Sequence, residues 1–183
     1  MIAGTQSGEV CVFSVNSAIY RASMPLSSNG VCCGTLLGDF LFVGAGDGKI
    51  KKISLENNSW TLTHEAALDS KVVSVNLSPN GQELIVGTAF GKIYRVLVND
   101  FSYLLHTDSH HTKINDLSFG NDSNQFVAID EGGLLKVWDL SEYKTTLTLN
   151  AGKQVSGLCC HIASDDGSVI TGWNDGFMRC FDI

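Results

Sequence analysis

Two glycine-rich segments, two pairs of adjacent cysteines, one histidine pair and a short lysine run are the parts of this sequence best suited to chemistry. Residues 44–49 (GAGDGK) and 87–92 (GTAFGK) would cradle phosphate if they were P-loops. A P-loop needs four residues between its glycines, serine or threonine after the lysine, and a helix whose N-terminus faces the phosphate. Here the lysines are followed by Ile50 and Ile93 and by strand-like runs, so both segments read as turns. Cys32-Cys33 and Cys159-Cys160 cannot each close on one zinc ion from an extended strand, because neighbouring side chains face opposite sides. With Cys11 and Cys180, and with no C-x-x-C spacing, they are expected to be reduced thiols packed in the core. His110-His111 has no third ligand or carboxylate at helical spacing, and is expected to form a surface-loop contact instead of a metal site. No serine sits in a G-x-S-x-G elbow, so neither catalysis, nor a cofactor, nor a small-molecule substrate is expected.

The elements that must position these residues follow from composition. The chain has 183 residues, 44% of them hydrophobic and 17% charged, with 19 glycines against 2 prolines. It can therefore bury a sizeable core and must turn often. Twelve basic and 19 acidic residues leave a net charge of −7, which argues against binding by neutralisation of nucleic-acid phosphates or anionic lipid. The longest strongly apolar run, residues 40–45, is too short to span a bilayer, and Glu9 interrupts the place where a signal peptide needs its apolar stretch. The expected location is the cytoplasm, where the N-x-S triplets at Asn57, Asn76 and Asn121 carry no meaning.

Five segments of the chain align on an inner glycine: Gly8, Gly48, Gly91, Gly133 and Gly176. Their spacings of 40, 43, 42 and 43 residues are too regular for chance. Two residues after each glycine stands Val10, Ile50, Ile93, Leu135 or Met178, and five after it Phe13, Ile53, Val96, Trp138 or Phe181. Each segment reads as a β-hairpin whose glycine takes the positive φ of the turn. A further strand is expected upstream, as at 72–77, 114–119 and 155–160, closed by turns at 79–81, 121–123 and 165–167. Another is expected downstream, as at 59–64, 101–106 and 143–149. Four antiparallel strands in about 40 to 45 residues make one blade of a β-propeller. Residues 1–183 thus read as one all-β propeller segment of about four blade periods, expected to be part of a larger ring.

The Trp138-Asp139 pair closing a third strand resembles the WD-repeat signature, with Phe181-Asp182 an approximation to it. The resemblance implies a hydrogen-bonded network of a histidine before the first strand and an aspartate in the second turn. No repeat supplies both by spacing: Asp47 and Asp175 fill the turn position without a histidine, while His110 and His111 precede a blade with Gly132 there. Blade rigidity is therefore expected to come from apolar packing. Lys52 and Arg95 stand four residues after the turn glycine, where other repeats place Val12, Val137 and Cys180. A cation at such an inward position should snorkel, pair with an acid or face a partner. With Lys49 and Lys51 they form the concentrated basic patch of an acidic chain. Lys49, Lys51, Lys52, Arg95, His110 and His111 are the candidate partner contacts.

Residues 85–119 and 170–183 resemble the cilia- and flagella-associated protein 52 family of axonemal WD-repeat proteins. Gly87, Thr88, Phe90, Ile93, Tyr94, Asp100 and Phe101 follow one run of that family, and Trp173, Asn174, Asp175, Gly176, Arg179 and Phe181 another. Met178 and Thr171 depart from it, and agreement weakens before about residue 70. The resemblance implies a non-catalytic scaffold of motile cilia and flagella, lying inside the doublet microtubule and contacting tubulin and other axonemal proteins. The alternative is a soluble adaptor recruiting a peptide or substrate protein, although the sequence shows no arginine-rich channel mouth.

Overall fold

In the computed structural model, described for all residues except 18, 57–59, 107–108, 123, 143, 153 and 166, five antiparallel sheets follow one another along the chain. Asn57, Ser59, Ser123, Tyr143 and Asp166, which enter the sequence reading above, lie outside the described residues. The first sheet holds β1 (Ile2–Gly4), β2 (Glu9–Phe13) and β3 (Tyr20–Pro25). Three four-stranded sheets come next. One comprises β4 (Val31–Leu37), β5 (Phe40–Ala45), β6 (Lys49–Ser54) and β7 (Thr61–Ala67). Its successor comprises β8 (Val72–Leu77), β9 (Glu83–Thr88), β10 (Ile93–Leu97) and β11 (Tyr103–Leu105). The fourth sheet contains β12 (Ile114–Phe119), β13 (Gln125–Asp130), β14 (Leu134–Asp139) and β15 (Lys144–Asn150). Last come β16 (Gly157–Ile162), β17 (Ser168–Trp173) and β18 (Met178–Asp182). Strands pair in sequence order within every sheet, which is the meander of a propeller blade.

The five aligned glycines do what the spacing predicts: all have φ between 79° and 89°. Gly91 is held twice over, since a Cβ there would lie 2.5 Å from the Thr112 carbonyl oxygen and 2.7 Å from that of His110. Gly91→Ala is expected to cost about 2 to 4 kcal/mol, combining left-handed strain with the clash. Gly38→Ala, with φ of 54° but no atom within 4 Å of the added carbon, should cost only about 1 kcal/mol. Urea denaturation of both variants separates the two causes.

Blades pack face to face, so their middle strands are covered on both sides and read as unbroken apolar runs. In β9, Leu84 and Val86 join a cluster with Phe42 and Ile50 of the preceding blade, while Ile85 joins Ile114, Leu117 and Phe126 of the following one. The same division in β13 sends Phe126 and Ala128 backward and Val127 and Ile129 forward, against Val169 and Trp173. In the last sheet the pattern differs: Leu158, Ile170 and Met178 are exposed. Asparagine side chains add ties between blades. Asn76 Nδ2 donates to the Leu117 carbonyl at 3.0 Å, Asn115 Nδ2 to that of Gly157 at 2.7 Å, and Asn121 Nδ2 to that of Ser164 at 2.5 Å.

Each first strand of the last four sheets opens with a bulge at the same rank, between Val31 and Cys33, Val72 and Ser74, Ile114 and Asp116, and Gly157 and Cys159. A bulge adds one unpaired residue and increases the local twist. The repeated bulge is a feature that strand periodicity alone does not reveal, and in the last sheet pairing begins at Gly157 instead of residue 155.

Candidate interaction surfaces and a buried histidine network

The candidate residues separate into three settings. Lys49, Lys51 and Lys52 all lie on β6, but alternation divides them between two faces of the sheet. Lys49 Nζ meets Glu65 Oε1 at 2.6 Å, an exposed pair whose hydrogen bond, followed by its charge, raises the lysine's pKa. Lys51 reaches the same carboxylate at 3.6 Å and Asp47 at 3.8 Å, and also donates to the Leu26 carbonyl. On the opposite face Lys52 donates to the Val98 carbonyl of the next blade at 2.8 Å, with its ammonium 4.6 Å from the Phe40 ring centroid. Both Lys51 and Lys52 are buried. Arg95 forms a two-pronged pair with Glu83, its Nε lying 2.6 Å from Oε2 and its terminal nitrogen bonding Oε1. The basic patch expected from the linear sequence is thus not one surface: strand alternation splits it, and internal acceptors hold most of its charged ends.

His110 corrects two expectations. It is buried, not on a surface loop, and its Nδ1 lies 3.0 Å from Asp130 Oδ2, with the two side chains 0% and 3% exposed. The other carboxylate oxygen of Asp130 accepts the Leu134 amide at 2.7 Å, and the Thr112 hydroxyl also bonds this carboxylate. Burial is the largest influence on Asp130 and opposes ionisation, but the His110, Thr112 and Leu134 donors outweigh it and hold the carboxyl below its ordinary range. The His110 ring packs on Trp138 at 5.6 Å, and Trp138 stacks on Phe126 at 4.6 Å and 5°. The aspartate sought at Gly132 therefore stands two residues earlier, at the end of β13, and the network is assembled in this blade. Sequence reasoning missed it because it fixed the aspartate's offset from the turn glycine. The joint presence of His110, Thr112, Asp130 and Trp138 in one repeat is the signal that could have found it. His111 is exposed, on the loop before β12. Rigidity here is polar as well as apolar.

The cysteines are free, as expected, but they are not all core residues: Cys32, Cys159 and Cys180 are exposed, Cys11 and Cys33 half-buried, and Cys160 buried. Alternation along the strand splits each adjacent pair. Burial pushes the Cys33 thiol up to about 12 and raises that of Cys160 well above the ordinary thiol value. Titration of the native chain with an aromatic disulfide reagent at pH 8 should label Cys32, Cys159 and Cys180 first, with Cys33 and Cys160 reacting only in denaturant. Among the described residues, no three histidine, cysteine, aspartate or glutamate side chains converge on a point that could hold a metal ion.

Sequential four-stranded blades, a glycine turn every forty-odd residues and a histidine–aspartate–tryptophan network define the fold as that of WD-repeat propeller blades. Curated relatives agree. The chain is 26% identical to "Cilia- and flagella-associated protein 52" of Chlamydomonas reinhardtii over 97% of its own length and 29% of that protein's. To the protein of the same name in Bos taurus it is 25% identical, again over 97% of this chain and 29% of the relative. It is 23% identical to "WD repeat-containing protein 90" of Homo sapiens over 98% of this chain and 11% of that protein. The chain therefore spans under a third of the length of these relatives. The likeness, read in the sequence mainly after about residue 70, extends over nearly all of it. No protein-family model matches the chain.

Proposed function

We propose that this chain is part of a non-catalytic structural protein of motile cilia and flagella, which braces the axoneme from within the doublet microtubule by contacts with tubulin and neighbouring proteins. The alignment of 97% of the chain with relatives named for cilia and flagella is the observation that carries this reading. Physical form supports it. Blades locked by shared cores and by side-chain ties make a stiff body, and a stiff body repeated along a filament turns modest contacts into avid attachment. With a net charge of −7, attachment to an acidic lattice works through shape and local groups, not through a broad field. Of the six candidate contacts, Lys49 and His111 are the ones with side chains open to solvent and are the proposed contacts; Lys51, Lys52, Arg95 and His110 hold the blades in shape.

The test is the location of the tagged full-length protein in a flagellated cell, followed by extraction with detergent and high salt. Retention along the axoneme after both steps is the expected result. A diffuse, fully extractable protein would overturn the scaffold reading in favour of a soluble WD-repeat adaptor.

A further inference from the structure

The bulge residues Cys32, Val73 and Asn115, one from each of three consecutive first strands, line a single cavity of about 690 Å³. Lys71 and Lys113 line it as well. These two lysines hold the same place in their blades, the residue before the first strand, 42 residues apart. Their backbones are fixed, since the Lys71 carbonyl accepts the Ala89 amide at 2.9 Å and the Lys113 carbonyl accepts that of Glu131 at 2.8 Å. Their ammonium groups are not: neither forms an ion pair among the described residues, whereas Lys49, Lys51, Arg95, Lys144 and Arg179 each hold a carboxylate. Asp69 and Asp116, the acids nearest to them in sequence, form no such pair with them among the described residues. Two unneutralised cations facing one cavity repel each other, and an acidic chain that keeps them there has a use for an anion.

We infer that this cavity binds an acidic polypeptide segment, with Lys71 and Lys113 each receiving a carboxylate and the Gln6 and Asn29 amides meeting its backbone. The amides are what distinguish a peptide from a phosphate ligand. They supply both donors and acceptors, as a peptide backbone requires, and the cavity lining contains no arginine to grip a phosphate two-pronged. The lysines come from adjacent blades instead of a single loop, which suits carboxylates spaced along a chain. A nucleic acid would bring many phosphates against a protein of net charge −7. This inference is independent of the ciliary reading, because it concerns binding by the isolated chain.

The test is fluorescence anisotropy of a labelled hexaglutamate peptide with the 183-residue chain, beside identically labelled hexaserine. Hexaglutamate is expected to bind and hexaserine not. Binding should weaken at least about tenfold in K71E/K113E and severalfold in K71Q/K113Q, but by less than about twofold in K92E, which changes an exposed lysine outside the cavity. Affinity should also fall as ionic strength rises from about 0.01 to 0.1 M, which shortens the screening length from about 30 to 10 Å. Melting temperatures equal to that of the parent chain establish that the variants fold, as expected for solvent-facing side chains. Absence of hexaglutamate binding, or equal weakening by K92E, overturns the inference. Stronger competition by inorganic pyrophosphate or oligodeoxythymidylate than by unlabelled hexaglutamate overturns it too, since the site would then select phosphate.

Discussion

Trp138→Ala is expected to cost about 3 to 5 kcal/mol, the range for deleting a large aromatic side chain from a packed core. For a chain of this size that is a fall in melting temperature of roughly 6 to 20 °C. Trp138 is 0% exposed, lies flat on Phe126 and takes the rings of His106 and His110 at 5.8 and 5.6 Å. Its removal opens the cluster that joins the blade of β8–β11 to that of β12–β15, where Ile85, Ile93, Ile114 and Leu117 also meet. Trp138→Phe should cost far less, because the indole Nε1 has no hydrogen-bond partner among the described residues and a phenyl ring preserves the stack on Phe126. Thermal denaturation followed by circular dichroism reads both. A loss below about 1 kcal/mol for the alanine variant would mean that the two blades are not joined through this cluster.

The second large effect concerns Asp130. Its replacement by alanine removes the acceptor for His110 Nδ1, for the Thr112 hydroxyl and for the Leu134 amide in one step. The buried His110 and the part-buried Leu134 amide each lose an acceptor at about 1 to 3 kcal/mol, the exposed Thr112 hydroxyl can turn to water, and a total of about 2 to 6 kcal/mol is expected. The carboxylate also carries a pH signature. Its carboxyl in the folded chain is held below the usual value, so its stabilisation is complete above the unfolded value near about 3.9 and is lost as pH falls through that value toward the folded one. The denaturation midpoint of the parent chain should therefore decline between pH 5 and 3 more steeply than that of Asp130→Asn. Parallel slopes would show that the network does not hold this group ionised.

How much of this was legible in the sequence depended on how strongly each feature repeats. The turn glycines recur in every blade, and the runs at 72–77 and 114–119 match β8 and β12 residue for residue. The first strand of the last sheet is offset by two residues, since the apolar run that begins at Val155 precedes the residue, Gly157, that holds the rank of Val72 and Ile114. Asp130 escaped notice because it is the end of a strand and reads as part of the apolar run QFVAID, while the expected offset pointed at Gly132. Burial of Lys52 needs the neighbouring blade, whose Val98 carbonyl lies 46 residues away and cannot be inferred from strand spacing. The unpaired state of Lys71 and Lys113 is likewise a property of packing. Their common rank, however, was open to view in the repeat.

The ties between blades have a direction. Asn76, Asn115 and Asn121 each donate to a carbonyl 41 to 43 residues further on, close to one period. The third and fourth sheets thus carry donors for the blade after them, which offers its backbone carbonyls in return. A tandem duplication of the β8–β11 unit inserts a copy whose asparagine meets the same carbonyl one period on. Gain of such a unit by unequal recombination therefore adds a donor together with the carbonyl that receives one. In-frame insertion of a second copy of residues 72–113 would give each copy of Asn76 a carbonyl about one period further on.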